Sequence, residues 1–66
     1  METLRITPAA ARVNAGLTQD EAAKRLHVTK VTLIKWEKGI TEPKIEQARA
    51  MSREYGIPID NISFGS

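Results

Sequence analysis

The fold is decided by residues 17–39, which read LTQDEAAKRLHVTKVTLIKWEKG and predict two short helices. Thr18 and Glu21 have the spacing of a capping box, in which each side chain accepts a hydrogen bond from the other residue's backbone N–H. Acidic side chains also suit the positive N-terminal end of a helix. The first helix is therefore expected from Gln19 to about Leu26.

The second helix of this stretch follows after a very short connection. Thr29 is a favourable N-cap and Gly39 a favourable C-terminal stop, so a helix is expected over about 30–38. Only His27 and Val28 separate the first helix from this cap. Two short helices joined by a turn of about three or four residues form a helix-turn-helix.

Apolar residues stand where the two helices of this motif, over about 19–38, are expected to touch. They are Ala22, Leu26, Val28, Leu33 and Trp36. Ala23 supplies a small side chain where the second helix crosses the first. Because several positions agree at once, this pattern is more specific than a basic patch alone.

Another helix is expected before the motif. Pro8 suits the first position of a helix, and the alanine-rich run that follows favours a helix over about 8–15. This helix is expected to bury Val13 together with Ala9 or Ala10.

Two more helices are expected after the motif, over about 43–55 and 59–63. Pro43 would begin the longer one and Gly56 would end it. Its apolar stripe would consist of Ile45, Ala48, Met51, Ser52 and Tyr55. The sequence thus predicts an all-α fold, a compact five-helix domain formed by residues 1–66.

The two ends of the chain each allow alternatives. Leu4 and Ile6 form a short apolar alternation, which suits an extended arm or a short strand lying over the core. Ile59, Ile62 and Phe64 would either close the core or supply a patch for dimerisation.

Size and composition favour a binding module over an enzyme. A chain of 66 residues has a thin core, and the absence of cysteine excludes disulfides and thiolate metal sites. The sequence contains no catalytic constellation, cofactor motif or cluster of metal ligands, so no enzyme activity and no cofactor are predicted. The start at Met1 favours a complete product, with a domain cut from a longer chain as the alternative.

Positive charge is concentrated around the turn and the second helix of the motif. Residues 24–38 carry a net charge of +4, whereas each flank carries −1 and the whole chain +2. The basic residues of this window are Lys24, Arg25, Lys30, Lys35 and Lys38. A local basic patch on a balanced chain indicates a polyanionic partner, and a solvated lysine-rich face is the alternative.

Within the stretch 17–39, residues 17–23 and 28–39 resemble the Cro/repressor type of helix-turn-helix family, which includes the lambda repressor. The resemblance extends from about residue 8 to residue 64. It implies an all-α domain that binds operator DNA, usually as a symmetric dimer. It also implies a salt bridge between Arg12 and Glu37, and a contact of Gln19 with the DNA backbone and sometimes with a base.

One residue departs from the family pattern. His27 stands where the family often has glycine, at a position that commonly needs a positive φ. Histidine is among the residues enriched in that conformation. We therefore interpret His27 as a turn residue, with a pH sensor or a phosphate contact as the alternatives.

The proposed DNA contacts fall into two groups. Lys30, Val31 and Lys35 lie on the outward face of the second helix and would contact bases, and the adjacent Thr32 would reach either a phosphate or a base edge. Phosphate contacts are expected from Gln19, Thr29, Lys38, Thr41 and Lys44. Ile34 is also outward, and a DNA contact, a protein contact and simple exposure are all open to it.

These features lead to one main hypothesis and one alternative. The main hypothesis is a sequence-specific DNA-binding transcriptional regulator of phage or prophage type, which acts as a homodimer on an operator. The alternative is an antitoxin or protein-interaction module with weak DNA affinity. The sequence lacks a membrane-length apolar stretch and a signal peptide, so the bacterial cytoplasm or nucleoid is expected.

Overall fold

The computed structural model describes residues 5–64, which form four α-helices and a single 3₁₀ turn. The α-helices are α1 (Pro8–Asn14), α2 (Gln19–Arg25), α3 (Lys30–Glu37) and α4 (Ile45–Tyr55), and the 3₁₀ turn spans Ile59–Asn61. α2 packs against α3, while α1 packs against both α3 and α4. The predicted all-helical fold is confirmed for these residues, but the predicted fifth helix is only a 3₁₀ turn.

Side-chain caps define the starts of the first three helices. The hydroxyl oxygens of Thr7, Thr18 and Thr29 each accept a hydrogen bond from the backbone N–H three residues later, at 3.1, 3.1 and 3.2 Å. Glu21 Oε1 accepts from the Thr18 backbone N–H at 2.9 Å, which completes the capping box and holds the pKa of Glu21 below its ordinary value. These starts were predicted correctly because a cap is a local interaction. Each of the three helices ends one residue before its predicted end.

The start of α4 was predicted too early. α4 begins at Ile45 and not at Pro43, because Lys44 is an extended N-cap whose backbone N–H donates to Gln47 Oε1 at 2.8 Å. Ile45 is also 61% exposed, so its place in the apolar stripe was wrong. Ile45 is the first residue of α4, and its side chain does not belong to the core cluster that Met51 and Tyr55 help to form.

The buried face of α1 differs from the prediction. Pro8 and Ala11, which are three residues apart, point into the protein, and Ala11 is completely buried. Val13 is 63% exposed. It lies two residues beyond Ala11, about 200° further around the helix, and therefore on the opposite face.

The chain ends come together at Ile6 and Ile62, which form an isolated parallel bridge. The Ile6 N–H donates to the Asn61 carbonyl at 2.8 Å, and the Ser63 N–H donates to the Ile6 carbonyl at 2.8 Å. Since Ile62 is extended in order to make this pairing, a helix over 59–63 cannot continue past Asn61. The predicted extended arm is therefore present at Ile6, while Leu4 lies outside the described residues.

The core lies between the four helices. Its principal buried side chains are Ala11, Leu17, Ala22, Ala23, Leu26, Leu33, Trp36, Met51 and Tyr55. Ile62 is 1% exposed and Phe64 packs against this cluster, so both help to close the core. None of the helices in residues 5–64 has the length and apolar character needed to cross a membrane.

Candidate nucleic-acid interface

The turn between α2 and α3 depends on a left-handed residue. His27 has φ of +57° and is the only residue other than glycine with a positive φ in residues 5–64. The backbone N–H of Val28 donates to the Ala23 carbonyl at 3.0 Å, which closes the turn behind α2. His27 is exposed, and the positive φ predicted for it is confirmed.

α3 has a buried side and an exposed side. Leu33 and Trp36 are 0% and 4% exposed and anchor the helix in the core. On the other side, Lys30, Val31 and Lys35 are exposed, and Val31 is 62% exposed despite being apolar. Val31 and Lys35 are one turn apart and share a face. Thr32 and Ile34 flank this face and are half-buried.

Lys30 has a partner in α2. Its Nζ lies 3.5 Å from Asp20 Oδ1, with both side chains largely open to solvent. An exposed pair of this kind contributes about 0–1 kcal/mol, so it gives way readily to a stronger anionic partner. The pair links the side chain of the first residue of α3 to a side chain in the first turn of α2.

The start of α2 is tied to the end of α3 by a largely buried polar cluster. Glu37 Oε2 lies 2.7 Å from Arg12 Nε, and the two side chains are 7% and 13% exposed. Gln19 Nε2 donates to the other oxygen, Glu37 Oε1, at 3.1 Å. Arg12 Nη1 also donates to the Leu17 carbonyl at 2.8 Å. The pairing of Arg12 with Glu37 was expected from the family resemblance, whereas the Gln19 bond was not.

The two threonines at the start of α3 bond to each other. Besides capping the helix, the Thr29 hydroxyl donates to Thr32 Oγ1 at 3.0 Å. Thr29 is exposed and Thr32 half-buried, so both lie at the edge of the exposed face of α3.

The remaining predicted phosphate contacts lie in the connection between α3 and α4. Lys38 is the C-cap of α3 and Lys44 the N-cap of α4, with Thr41 between them, and all three are exposed. This connection also holds Ile40, which is 66% exposed. Sequence reasoning did not single out Ile40, because an isolated apolar residue in a loop has no periodicity that predicts its exposure.

A family model for the helix-turn-helix matches residues 9–62 of this chain. The chain belongs to the helix-turn-helix family, of the Cro/repressor type. The match begins in α1 and ends at Ile62, so it includes the buried anchors of α3 and Ile62 itself, whereas the bridge partner Ile6 lies before it.

Three curated relatives of this helix-turn-helix chain are transcriptional regulators. It is 40% identical over 51 residues to the cryptic phage CTXphi transcriptional repressor RstR of Vibrio cholerae, covering 77% of this chain and 46% of that protein. It is 32% identical over 54 residues to the transcriptional activator BcrR of Enterococcus faecalis, covering 82% of this chain and 26% of that protein. It is 37% identical over 46 residues to an uncharacterised regulator of Methanocaldococcus jannaschii, covering 70% of each chain.

The chain therefore spans less than half the length of the Vibrio and Enterococcus proteins. No solved structure shows a significant match to this chain.

Proposed function

We propose that this chain is a sequence-specific, double-stranded DNA-binding transcriptional regulator that places α3 in the major groove. The observation that carries the proposal is the division of α3 into a buried side, with Leu33 and Trp36, and an exposed side, with Val31 and Lys35. The major groove admits an α-helix and presents a different pattern of groups for each base pair. α3 is the recognition helix of this proposal.

Base contacts are proposed for the exposed side of the recognition helix. A lysine donates to the O6 and N7 acceptors of guanine, and a valine packs against the methyl group of thymine. Lys35 has no salt bridge within residues 5–64, whereas Lys30 is paired with Asp20. Lys35 and Val31 are therefore the principal base contacts of the proposal, with Lys30 beside them.

Phosphate contacts are proposed for the polar side chains around the recognition helix. They are Gln19, Thr29, Thr32, Lys38, Thr41 and Lys44. These side chains come from the start of α2, the start of the recognition helix and the connection to α4. Contacts to phosphate supply affinity that falls as salt rises, and they fix the orientation of the domain on DNA.

Action as a homodimer is part of the proposal. Ile40 and Ile45 are large apolar side chains that are 66% and 61% exposed, close to the proposed DNA contacts of the connection. Ile45 also lines a surface groove together with Pro43 and Ile59. A two-fold dimer would hold two recognition helices about 34 Å apart, one turn of DNA, and would favour a palindromic operator.

Repression in a phage or prophage is the biological setting that we propose. The 40% identity to RstR, which is named as a phage repressor, supports it, while the 32% identity to BcrR, which is named as an activator, favours the opposite sense. A reporter fused to the selected operator distinguishes repression from activation. In this proposal residues 1–66 act as one non-enzymatic DNA-binding domain in the bacterial cytoplasm or nucleoid.

A second candidate function is an antitoxin or protein-interaction module with weak DNA affinity. The exposed Ile40 and Ile45 favour it, because large apolar side chains exposed in one short segment suit a protein partner. It differs from the first proposal in expecting little preference among DNA sequences.

Selection from a pool of random duplexes, followed by a salt titration, tests the two functions. Enrichment of a palindrome, bound with an affinity that falls steeply with salt, is the expected result. Weak binding that is equal for all sequences would contradict the first function and favour the second. Sedimentation of the free protein and of its complex measures whether one copy or two bind each duplex.

A further inference from the structure

Glu37 is the centre of the polar cluster that joins α1, α2 and α3. Its two carboxylate oxygens have different partners: Oε2 accepts from Arg12, and Oε1 accepts from Gln19. The Glu37 side chain is only 7% exposed, and that of Arg12 is 13% exposed. The cluster is thus largely removed from solvent, while the Gln19 residue is half-buried at the protein surface.

The chemistry of this contact fixes which way the Gln19 amide faces. An ionised carboxylate only accepts hydrogen bonds, so the amide must turn its nitrogen toward Glu37. One of the two N–H groups is then used inside the protein. The second N–H and the carbonyl oxygen are the groups left for a ligand.

We propose that Glu37 is a positioning residue that sets the polarity of the Gln19 amide before DNA arrives. This inference rests on the proposed function, in which Gln19 contacts DNA. Glu37 itself touches no DNA and acts through Gln19. A side chain held in one orientation loses less conformational entropy on binding, so the bond strengthens DNA binding without adding a contact.

A second bond in the cluster supports this role. Arg12 donates both to Glu37 and to the Leu17 carbonyl, which lies two residues before Gln19. The same cluster therefore holds the backbone that leads into α2 as well as the end of the Gln19 side chain.

Replacing the carboxylate by an amide reverses the arrangement. In Glu37→Gln, the new carbonyl oxygen can still accept from Arg12, which leaves an NH₂ group facing Gln19. Gln19 must then turn its own carbonyl oxygen inward and its NH₂ group outward. The variant changes the groups that Gln19 offers to DNA while keeping the size and shape of the side chain at position 37.

A double-mutant cycle of Glu37→Gln and Gln19→Ala, measured on the tightest duplex of the selection, separates positioning from stability. Gln19→Ala is expected to weaken binding about tenfold with Glu37 present. This factor is expected to change by about threefold or more in the Glu37→Gln background. If Glu37 only stabilises the fold, Gln19→Ala has the same effect in both backgrounds, and the proposal is wrong.

Loss of a negative charge strengthens DNA binding in general, so a charge control is needed. Glu54→Gln removes one carboxylate from an exposed pair with Arg25, at 3.6 Å. This control is expected to leave the effect of Gln19→Ala unchanged. If Glu37→Gln does not fold, Glu37→Asp replaces it in the cycle, because it keeps the charge opposite Arg12 and shortens the side chain facing Gln19.

A measurement without DNA keeps this inference distinct from the proposed function. NMR of the Gln19 side-chain amide is expected to show that one of its two protons is protected from exchange, and this protection is expected to change in Glu37→Gln. An amide that exchanges freely in the wild-type protein and is unaffected by Glu37→Gln would overturn the positioning role. If the NMR result is as expected but no duplex is bound preferentially, the proposed function is wrong while the positioning of Gln19 stands.

Discussion

Ile6 and Ile62 lie 56 positions apart in the sequence and pair as neighbours in space. Their bridge joins the segment before α1 to the segment after the 3₁₀ turn. The Ile62 side chain is 1% exposed. The small core is thus closed by its ends as well as by its helices.

Ile62→Ala is expected to destabilise the fold by about 2–5 kcal/mol, since it removes a fully buried aliphatic side chain and leaves a cavity. Ile45→Ala is the matched control, because Ile45 is 61% exposed. The control is expected to change the free energy of unfolding by less than about 0.5 kcal/mol. Urea unfolding measures both. Equal effects of the two substitutions would show that Ile62 does not close the core.

His27→Gly is expected to stabilise the fold modestly. A left-handed conformation costs a non-glycine residue about 1–2 kcal/mol, and the entropy of glycine offsets about 0.5–1 kcal/mol of the gain. Lys24→Gly, inside the neighbouring helix, should destabilise by about 1 kcal/mol. Thermal unfolding of the two variants provides the comparison. Destabilisation by both would mean that the imidazole of His27 makes a contribution larger than its backbone strain.

Tyr55→Phe is expected to stabilise the protein by about 1–3 kcal/mol, since the Tyr55 hydroxyl is buried and has no hydrogen-bond partner within residues 5–64. Burial raises the pKa of Tyr55 from 10.0 to about 12. Above pH 10 the unfolded chain therefore releases the proton first, and the wild-type protein loses stability as the pH rises toward 12.

Tyr55→Phe should lack the part of this alkaline loss that belongs to Tyr55, which is at most about 3 kcal/mol. Urea unfolding of both proteins between pH 8 and about 11 gives the difference directly. Parallel pH profiles for the two proteins would show that Tyr55 does not titrate differently in the folded and unfolded states.

Lys35→Ala is expected to weaken binding to the selected duplex by about 1–3 kcal/mol and to relax the preference at one base pair. Lys24→Ala removes the same charge from an exposed position on α2 and should weaken binding to all duplexes alike. Repeating the duplex selection with each variant measures the preference. An unchanged base preference in Lys35→Ala would remove Lys35 from the proposed base contacts.

Local interactions explain what the sequence predicted well. A threonine N-cap accepts a hydrogen bond from the backbone N–H three residues later. Because this interaction is local, the starts of α1, α2 and α3 could be predicted from the sequence alone. The positive φ of His27 followed from the family resemblance, because the family often has glycine at that position.

Features that depend on distant residues were predicted less well. Val13 and Ile45 are apolar residues in helices, but whether a helix turns them inward depends on where its neighbours lie. The bond between Gln19 and Glu37 joins residues 18 positions apart, and no periodicity or spacing in the sequence connects them. The 3₁₀ turn in place of a fifth helix depends likewise on Ile6, at the other end of the chain.

The exposure of Val31 and Lys35 has a consequence for the evolution and engineering of this domain. Neither side chain belongs to the core, so substitutions at these positions change the free energy of unfolding by only about 0.5 kcal/mol. Folding is instead maintained by Leu33 and Trp36 on the opposite side of the same helix. Under the proposed function, the preferred DNA sequence can therefore diversify on a constant scaffold, and a library randomised at the exposed positions alone is expected to yield mostly folded proteins with altered targets.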